Sequence, residues 1–315
     1  MTSINLAIIG AGYIAHEHLN TIQKIKGLNP KLIYSRTAEK SEKVAKEFKI
    51  PNIAKTYKEF EDSLSGIDGI LILVSADNIF EVTSNLLPYQ IPLFIEKPPA
   101  LSYKGSLDLS LKASKCKTLN MVGFNRRFYS IYHKGLKKID DHGQLLGLSV
   151  EGHERFWKVR DGLSLHTRDQ WLYANSSHTI DLLDFFGGEV KELEVFSNSL
   201  NETNGDQFVA SMKFDSGALG TYTSHWYSPG GWSVTLYGEG VSVIYKPLEE
   251  GVWVDKNFKQ HKIKPDKYDL ELKPGFYQQM MSFKNLITSR KLEWPAVSLQ
   301  ECLRTMSYIE SLYKR

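Results

Sequence analysis

The opening stretch constrains this chain more than any other part of it. Ile4–Ile9 is a strand-sized apolar run that passes straight into Gly10-Ala-Gly12-Tyr-Ile-Ala15. Ile14–Ile25 then carries Ala15, Leu19 and Ile22 at helical spacing. A strand that ends in closely spaced glycines and restarts as a helix is the first half of a βαβ unit. Gly10 allows the tight turn, Gly12 lets another group approach the backbone, and Ala15 permits close helix–strand packing. The start of the helix supplies N–H donors and a positive dipole end. A G-x-G-x-x-A turn in this setting therefore suits a dinucleotide pyrophosphate.

The alternation continues. Leu32–Tyr34 reads as a strand and Ala38–Phe48 as a charged helix. Gly69–Val74 is apolar throughout, as in a strand covered on both faces. Phe80–Leu87 is a helix, Pro92–Ile95 a strand, Ser102–Lys115 a helix capped by Ser102, and Thr118–Val122 a strand. This order predicts α/β architecture: an N-terminal Rossmann domain with a doubly wound parallel sheet. After Phe124 the pattern changes. Helices are expected at Arg127–Ile139 and Ser177–Phe186, the latter stopped by Gly187-Gly188. Leu145–Glu151 alternates. Further alternating runs occupy Leu193–Ser197, Phe208–Phe214, Ala218–Trp226, Ser233–Tyr237, Val241–Tyr245 and Val252–Val254. Two helices close the chain, Phe276–Ser289 and Ser298–Tyr313. The second part is thus a C-terminal α+β domain with a large, mostly antiparallel sheet. The boundary falls between 124 and 125. Residues 1–124 are the dinucleotide-binding domain and 125–315 the substrate-binding and oligomerisation domain, with the last helix a candidate to pack back on the first.

A length of 315 residues fits two domains of ordinary size. The formal net charge of +3, with basic and acidic residues interspersed, argues against nucleic acid or a membrane surface as partner. No apolar stretch approaches the ~20 residues of a membrane span. Cys116 and Cys302 sit in helix-like stretches, outside any metal-ligand spacing, so no metal is expected. Nothing at the start reads as a signal peptide, and a cytoplasmic location follows as the expectation.

The end of the second strand bears on the nucleotide. An acid there would bind a ribose 2′-hydroxyl, but the chain reads Tyr34-Ser35-Arg36-Thr37. Ser35 and Arg36 suit a 2′-phosphate, so NADP is favoured slightly over NAD. Further on, Glu96-Lys97-Pro98-Pro99 ends a strand at the carboxyl edge of the sheet. Two prolines stiffen the turn. A lysine beside a cationic nicotinamide can have its pKa lowered and exchange a proton with a hydroxyl.

Taken together, the G-x-G-x-x-A start, Glu96-Lys97-Pro98, Gly123-Phe-Asn-Arg-Arg-Phe128 and His178-Thr-Ile-Asp181 resemble the glucose–fructose oxidoreductase / inositol dehydrogenase (Gfo/Idh/MocA) family. The resemblance spans the whole chain. It implies that Lys97 and His178 are the catalytic pair and that the activity is an NAD(P)-dependent sugar dehydrogenase or reductase. It implies sugars, cyclitols, sugar phosphates or nucleotide sugars as substrates, and a homo-oligomer (dimer or tetramer) joined through the C-terminal sheet. Cofactor contacts are then expected from Gly10, Gly12, Tyr13, Ile14 and Ala15. Ser35, Arg36 and Ser75 are expected to follow on the next strand ends, and Glu96, Lys97 and Asn125 beyond them. The chain departs from the family twice. Ala174 stands one helical turn before His178, where many members carry Asp, and Phe80 stands where many carry His.

Expected substrate contacts are Lys97, Arg126, Arg127 and Arg155, with Trp157, Trp171, His178 and Asp181. Lys158, His166 and Arg168 share the same polar, aromatic segment, and His225-Trp226 ends a strand. Basic groups beside aromatic rings suit a phosphate-bearing or acidic sugar. Two other readings accommodate these residues: a glycoside hydrolase that uses its bound NAD transiently, and a non-catalytic dinucleotide-dependent regulator.

Overall fold

The structure is a computed structural model that describes residues 3–313. They divide into two units. Residues 3–125 and 271–302 form one, and 126–270 and 303–313 the other. The single boundary at 124/125 is thus replaced by a chain that leaves the first unit and returns to it.

The first unit holds six strands: β1 (Ile4–Ile9), β2 (Leu28–Tyr34), β3 (Asn52–Ala54), β4 (Gly69–Ile72), β5 (Leu93–Ile95) and β6 (Asn120–Val122). Their order is β3-β2-β1-β4-β5-β6, with every neighbouring pair parallel. This is the doubly wound dinucleotide-binding order, built from two mononucleotide halves. Leu6, Ala7 and Ile8 are fully buried. Burial of a Leu or Ile side chain is worth ~1.5–3 kcal/mol, which is why an apolar run with no polar face can form the central strand. β2 begins four residues earlier than the sequence pattern indicated. Its Pro30 lies where the β1 pairing skips Lys31, and a bulge is where a strand tolerates a residue with no N–H. β3 and the helix Tyr57–Asp62 were missed. A three-residue edge strand carries too few positions to show a period. The helix starts at Thr56, whose hydroxyl accepts from the Glu59 N–H at 3.0 Å.

The returning segment completes this unit. The helix Phe276–Ser289 packs against the helix Tyr13–Ile22. Val122 donates its N–H to the Val297 carbonyl at 2.8 Å. It is therefore the penultimate helix that packs back on the first unit.

The second unit is built on eight strands: β7 (Leu145–Gly152), β8 (Val190–Asn198), β9 (Gln207–Phe214), β10 (Leu219–His225), β11 (Trp232–Gly238), β12 (Val241–Tyr245), β13 (Gly251–Asp255) and β14 (Gln260–Ile263). The order is β14-β13-β12-β11-β7-β10-β9-β8, and only β7 and β10 run parallel. Residues along β9 alternate between buried and exposed, as in a sheet with one solvated face. The helix Ser177–Gly187 packs along β7. It ends on glycine because a Cβ at Gly187 would meet the Phe214 ring at 2.3 Å, and Gly188 follows with φ +81°. β14 escaped the sequence reading because Gln-His-Lys-Ile has no apolar alternation. It is fixed by the β13 ladder and by His261 stacking on Trp253 with centroids 4.1 Å apart.

Candidate active site

The two glycines of the first turn do different work. Gly10 has φ +113°, and a Cβ there would meet the Leu73 carbonyl oxygen at 2.2 Å. It serves the fold. An added Cβ at Gly12 meets nothing within 4 Å. That open space faces the start of the helix Tyr13–Ile22, which has no side-chain cap. Its first N–H groups are therefore available to an anion, and the helix dipole favours one. Ala15 is fully buried, as close packing requires. Beside the loop lies a cavity of about 450 Å³ lined by Gly10, Gly12, Tyr34, Ser35, Arg36, Thr37, Lys40, Leu73, Ser75, Asn78 and Glu81, among others. It sits at the carboxyl ends of β1, β2 and β4, where the strand order reverses, which is the position of dinucleotide sites in such sheets. The residues fit the nucleotide. Gly12 and the helix start would hold the pyrophosphate, and residues 34–37 the adenosine ribose. Ser75 lies in the same wall, its hydroxyl accepting from the Asn78 amide at 2.7 Å. Gly12→Val is expected to fold normally, since its side chain enters empty space. It should weaken NAD⁺ binding by about tenfold or more, ~1.4 kcal/mol or above. Calorimetric titration with a melting curve checks both parts, and wild-type affinity would mean that the loop does not hold the phosphates.

Other expected cofactor residues are distributed unevenly. Tyr13 is exposed, with the Lys273 ammonium 5.1 Å over its ring; Ile14 is half-buried. Lys97 lies two residues beyond the end of β5 and is half-buried. Glu96, expected at the cofactor, is buried, accepting from His18 Nε2 at 2.7 Å and from the Lys97 N–H at 3.2 Å. Asn125 is also buried, its amide donating to the Pro274 carbonyl at 3.1 Å.

In the second unit His178 lies in the first turn of the helix Ser177–Gly187 and is half-buried. A π-helical turn, Leu172–Ser176, precedes it and contains Ala174. Such turns insert an extra residue into a helix and recur at functional sites. A carboxylate reaches this turn from elsewhere. Buried Glu154 accepts from the Asn175 amide and from the Ser176 hydroxyl, each at 2.8 Å. His178 packs toward Trp232, ring centroids 6.0 Å apart, and the Arg126 guanidinium lies 4.7 Å over the same indole. The structure thus brings Arg126 and His178 together through a tryptophan that the sequence reading did not single out.

Arg127 and Asp181, both expected at the substrate, are instead paired with each other. The guanidinium makes two bonds of 2.7 Å to Asp181 and one of 2.7 Å to Asp184. Asp184 also receives Arg304 Nε at 2.6 Å, and Asp181 receives the Thr305 hydroxyl at 2.9 Å. Arg127 is 3% exposed and Asp181 1%. Burial works against the charged guanidinium, but the two carboxylates outweigh it and its pKa moves upward. This is a structural network, because buried charges persist only when paired and hydrogen-bonded. Trp171 is buried against Phe156, centroids 5.3 Å apart. Trp226 lies in the same cluster, buried, 4.9 Å from Phe156. Arg155, Trp157 and Lys158 are exposed. Arg168 is engaged by Glu202, at 2.8 Å from Nη2. His225 stacks on His153 at 5.5 Å.

The family is decided by both halves of the chain. Residues 4–124 match the GFO_IDH_MocA model, described as an oxidoreductase family with an NAD-binding Rossmann fold, and residues 153–244 match the GFO/IDH/MocA C-terminal domain. The chain belongs to the GFO/IDH/MocA oxidoreductase family. Among its relatives is scyllo-inositol 2-dehydrogenase (NAD(+)) of Bacillus subtilis (strain 168), 24% identical over 237 residues, covering 72% of this chain and 69% of the relative. Solved structures share the fold. A dehydrogenase from Chromobacterium violaceum superposes with a TM-score of 0.83 at 17% identity, covering 99% of this chain and 94% of the other. A levoglucosan dehydrogenase in complex with NADH and L-sorbose gives 0.81 at 15%, with 99% and 96% covered.

Within this family assignment, the residues missed by sequence reasoning differ in how visible they were. His18 stands three residues after Ala15, in the helix that the glycine turn opens, so the motif reading only had to run one turn further. Lys40 lines the nucleotide cavity one turn beyond Arg36. Trp232 and Glu154 had no local signal, since their partners lie 54 and 21 or more residues away.

Proposed function

We propose that this protein is an NAD(P)-dependent dehydrogenase that oxidises a carbinol carbon of a sugar-like polyol, or reduces the corresponding carbonyl. The observation that carries this reading is the open cradle at Gly12 beside the nucleotide cavity. The inositol and levoglucosan dehydrogenases among its relatives support a polyhydroxylated substrate, which for this chain includes sugars, sugar phosphates and nucleotide sugars. The bound nicotinamide would supply the hydride acceptor. Lys97 takes the hydroxyl proton as the carbonyl forms, and His178 shares it. Arg126 over Trp232 offers a cation to a substrate acid group and an aromatic face to its ring. Self-association through the C-terminal sheet has support in the exposed cross-strand pair Phe196 and Val209. We place the enzyme in the cytoplasm; among the described residues no helix is long and apolar enough to cross a membrane.

The test is a screen of polyols and sugars with NAD⁺ and NADP⁺, read first as thermal stabilisation and then as turnover. A ligand at a hundred times its Kd adds ~2.7 kcal/mol to stability. Absence of stabilisation by either dinucleotide would end the proposal.

Cofactor preference is a separate expectation. No acid follows Tyr34, and Ser35, Arg36 and Lys40 line the adenosine side of the cavity. NADP⁺ is therefore expected to bind more tightly than NAD⁺. Arg36→Ala and Lys40→Ala should each weaken NADP⁺ by roughly 10- to 100-fold, the ~1.5–3 kcal/mol scale of hydrogen bonds to charged groups, and leave NAD⁺ nearly unchanged. Parallel loss for both nucleotides would remove the phosphate-contact argument.

A further inference from the structure

His18 is fully buried in the helix that the glycine turn opens. Its ring is fixed by two aromatic neighbours, Phe94 on β5 at 4.9 Å and Phe276 at 4.6 Å. Nδ1 has no hydrogen-bond partner among the described residues, whereas Nε2 lies 2.7 Å from Glu96 Oε1. The tautomer that satisfies this geometry carries hydrogen on Nε2 and donates it to the carboxylate. The second carboxylate oxygen accepts the backbone N–H of Lys97 at 3.2 Å. One buried carboxylate therefore joins two parts of the first unit, the helix that begins at the phosphate cradle and the turn that carries Lys97.

We propose that His18 is a positioning residue. Acting through Glu96, it fixes where the Lys97 turn stands relative to the pyrophosphate cradle, and so sets the nicotinamide end of the site. This rests on the dehydrogenase reading above. The strand order supports the placement. The cavity at β1, β2 and β4 takes the adenosine half, and β5, across β4 from it, belongs to the half that receives the second mononucleotide. The hydrogen bond is charge-assisted and buried, so its loss leaves a carboxylate oxygen unsatisfied and the turn unanchored.

The experiment compares NAD⁺ with ADP-ribose, which has the same adenosine and pyrophosphate but no nicotinamide. Both are titrated into wild type, His18→Gln, His18→Asn and His18→Leu, with a melting curve for each. If NADP⁺ is the tighter ligand, the 2′-phosphorylated pair is used instead. Glutamine can hold an amide N–H near the position of Nε2; asparagine is one methylene too short. Leucine and asparagine are expected to lower the preference for NAD⁺ over ADP-ribose about tenfold, ~1.4 kcal/mol, while ADP-ribose affinity stays near wild type. Glutamine should restore most of the preference. Parallel weakening of both ligands, with or without a lower Tm, would show a packing role only and overturn the proposal. So would a leucine variant that binds both ligands as wild type does, or a wild type that binds them equally. The asparagine and glutamine variants keep the test decisive if leucine fails to fold. Failure of the dehydrogenase reading shows elsewhere, as an absence of turnover of every polyol and sugar in the screen with either dinucleotide.

Discussion

Lys97→Met is expected to lower kcat by ~10²–10⁴-fold, the usual contribution of a positioned general acid or base. Methionine keeps the unbranched stem of lysine and removes the amine, so the turn at the end of β5 should stay folded. Dinucleotide affinity should remain close to wild type, because the cradle at Gly12 and the cavity at residues 34–37 are untouched. The chemistry accounts for the size. A bound nicotinamide would accept the hydride when a carbinol is oxidised, and the hydroxyl proton then needs a base. Without the amine that proton must leave to water, and the alkoxide character of the transition state is left uncompensated. His178→Asn should cost less, since it removes the residue that shares the proton. The pH profile of kcat separates the two: loss of Lys97 should remove or displace the main inflection. Wild-type turnover with an unchanged profile in Lys97→Met would sink the assignment.

The largest effect on stability is expected at Arg127. Arg127→Met should destabilise the protein by ~3–5 kcal/mol, the cost of breaking a buried ion pair by removing one partner. The damage arises because Asp181 and Asp184 then face one another in the interior without their shared cation; Arg304 reaches only Asp184. For a unit of this size each kcal/mol moves the melting midpoint by ~2–4 °C, so a fall of roughly 6–20 °C is expected. Adding Asp181→Leu to Arg127→Met should recover part of the loss, since replacement of both partners by apolar groups is far less costly than an orphaned charge. Denaturant unfolding of the single and double variants checks this. A loss below about 1 kcal/mol with a raised KM would return Arg127 to the substrate.

This case shows which parts of the site were legible. Gly10, Gly12 and Ala15 were readable because their roles depend on local geometry, a strand turning into a helix within six residues. The parallel sheet was readable because β1 and β4 are buried on both faces and so show continuous apolar runs. The pairing of Arg127 with Asp181 was not legible, for the opposite reason. Sequence shows that a charge is present but not whether it meets its counterion, and here the partner lies 54 residues away. Glu96 belongs to the same class, its partner His18 lying 78 residues upstream. β3 and β14 were lost to a different limit: three or four residues on a sheet edge, held by one neighbouring strand, have no periodicity to display. Composition pointed toward basic substrate contacts around residues 155–168. The structure assigns Arg168 to Glu202 and buries the nearby Trp171, so part of that charge serves the fold.

The return of residues 271–302 to the first unit has a consequence for synthesis. Phe276, which covers His18, and Val297, which pairs with β6, are made roughly 150–175 residues after β6 has been synthesised. At typical translation rates that is an interval of about 10–30 s. Throughout it, the flank that the helix Phe276–Ser289 will cover is open, including the apolar surroundings of His18 and of Gly69 near Ile287 and Phe283. The intervening residues of the second unit are produced in the same window, so it can begin folding before the first is closed. The nascent chain thus presents an unfinished nucleotide-binding half to any chaperone waiting at the exit, and the half becomes complete only once residues 271–302 have been made.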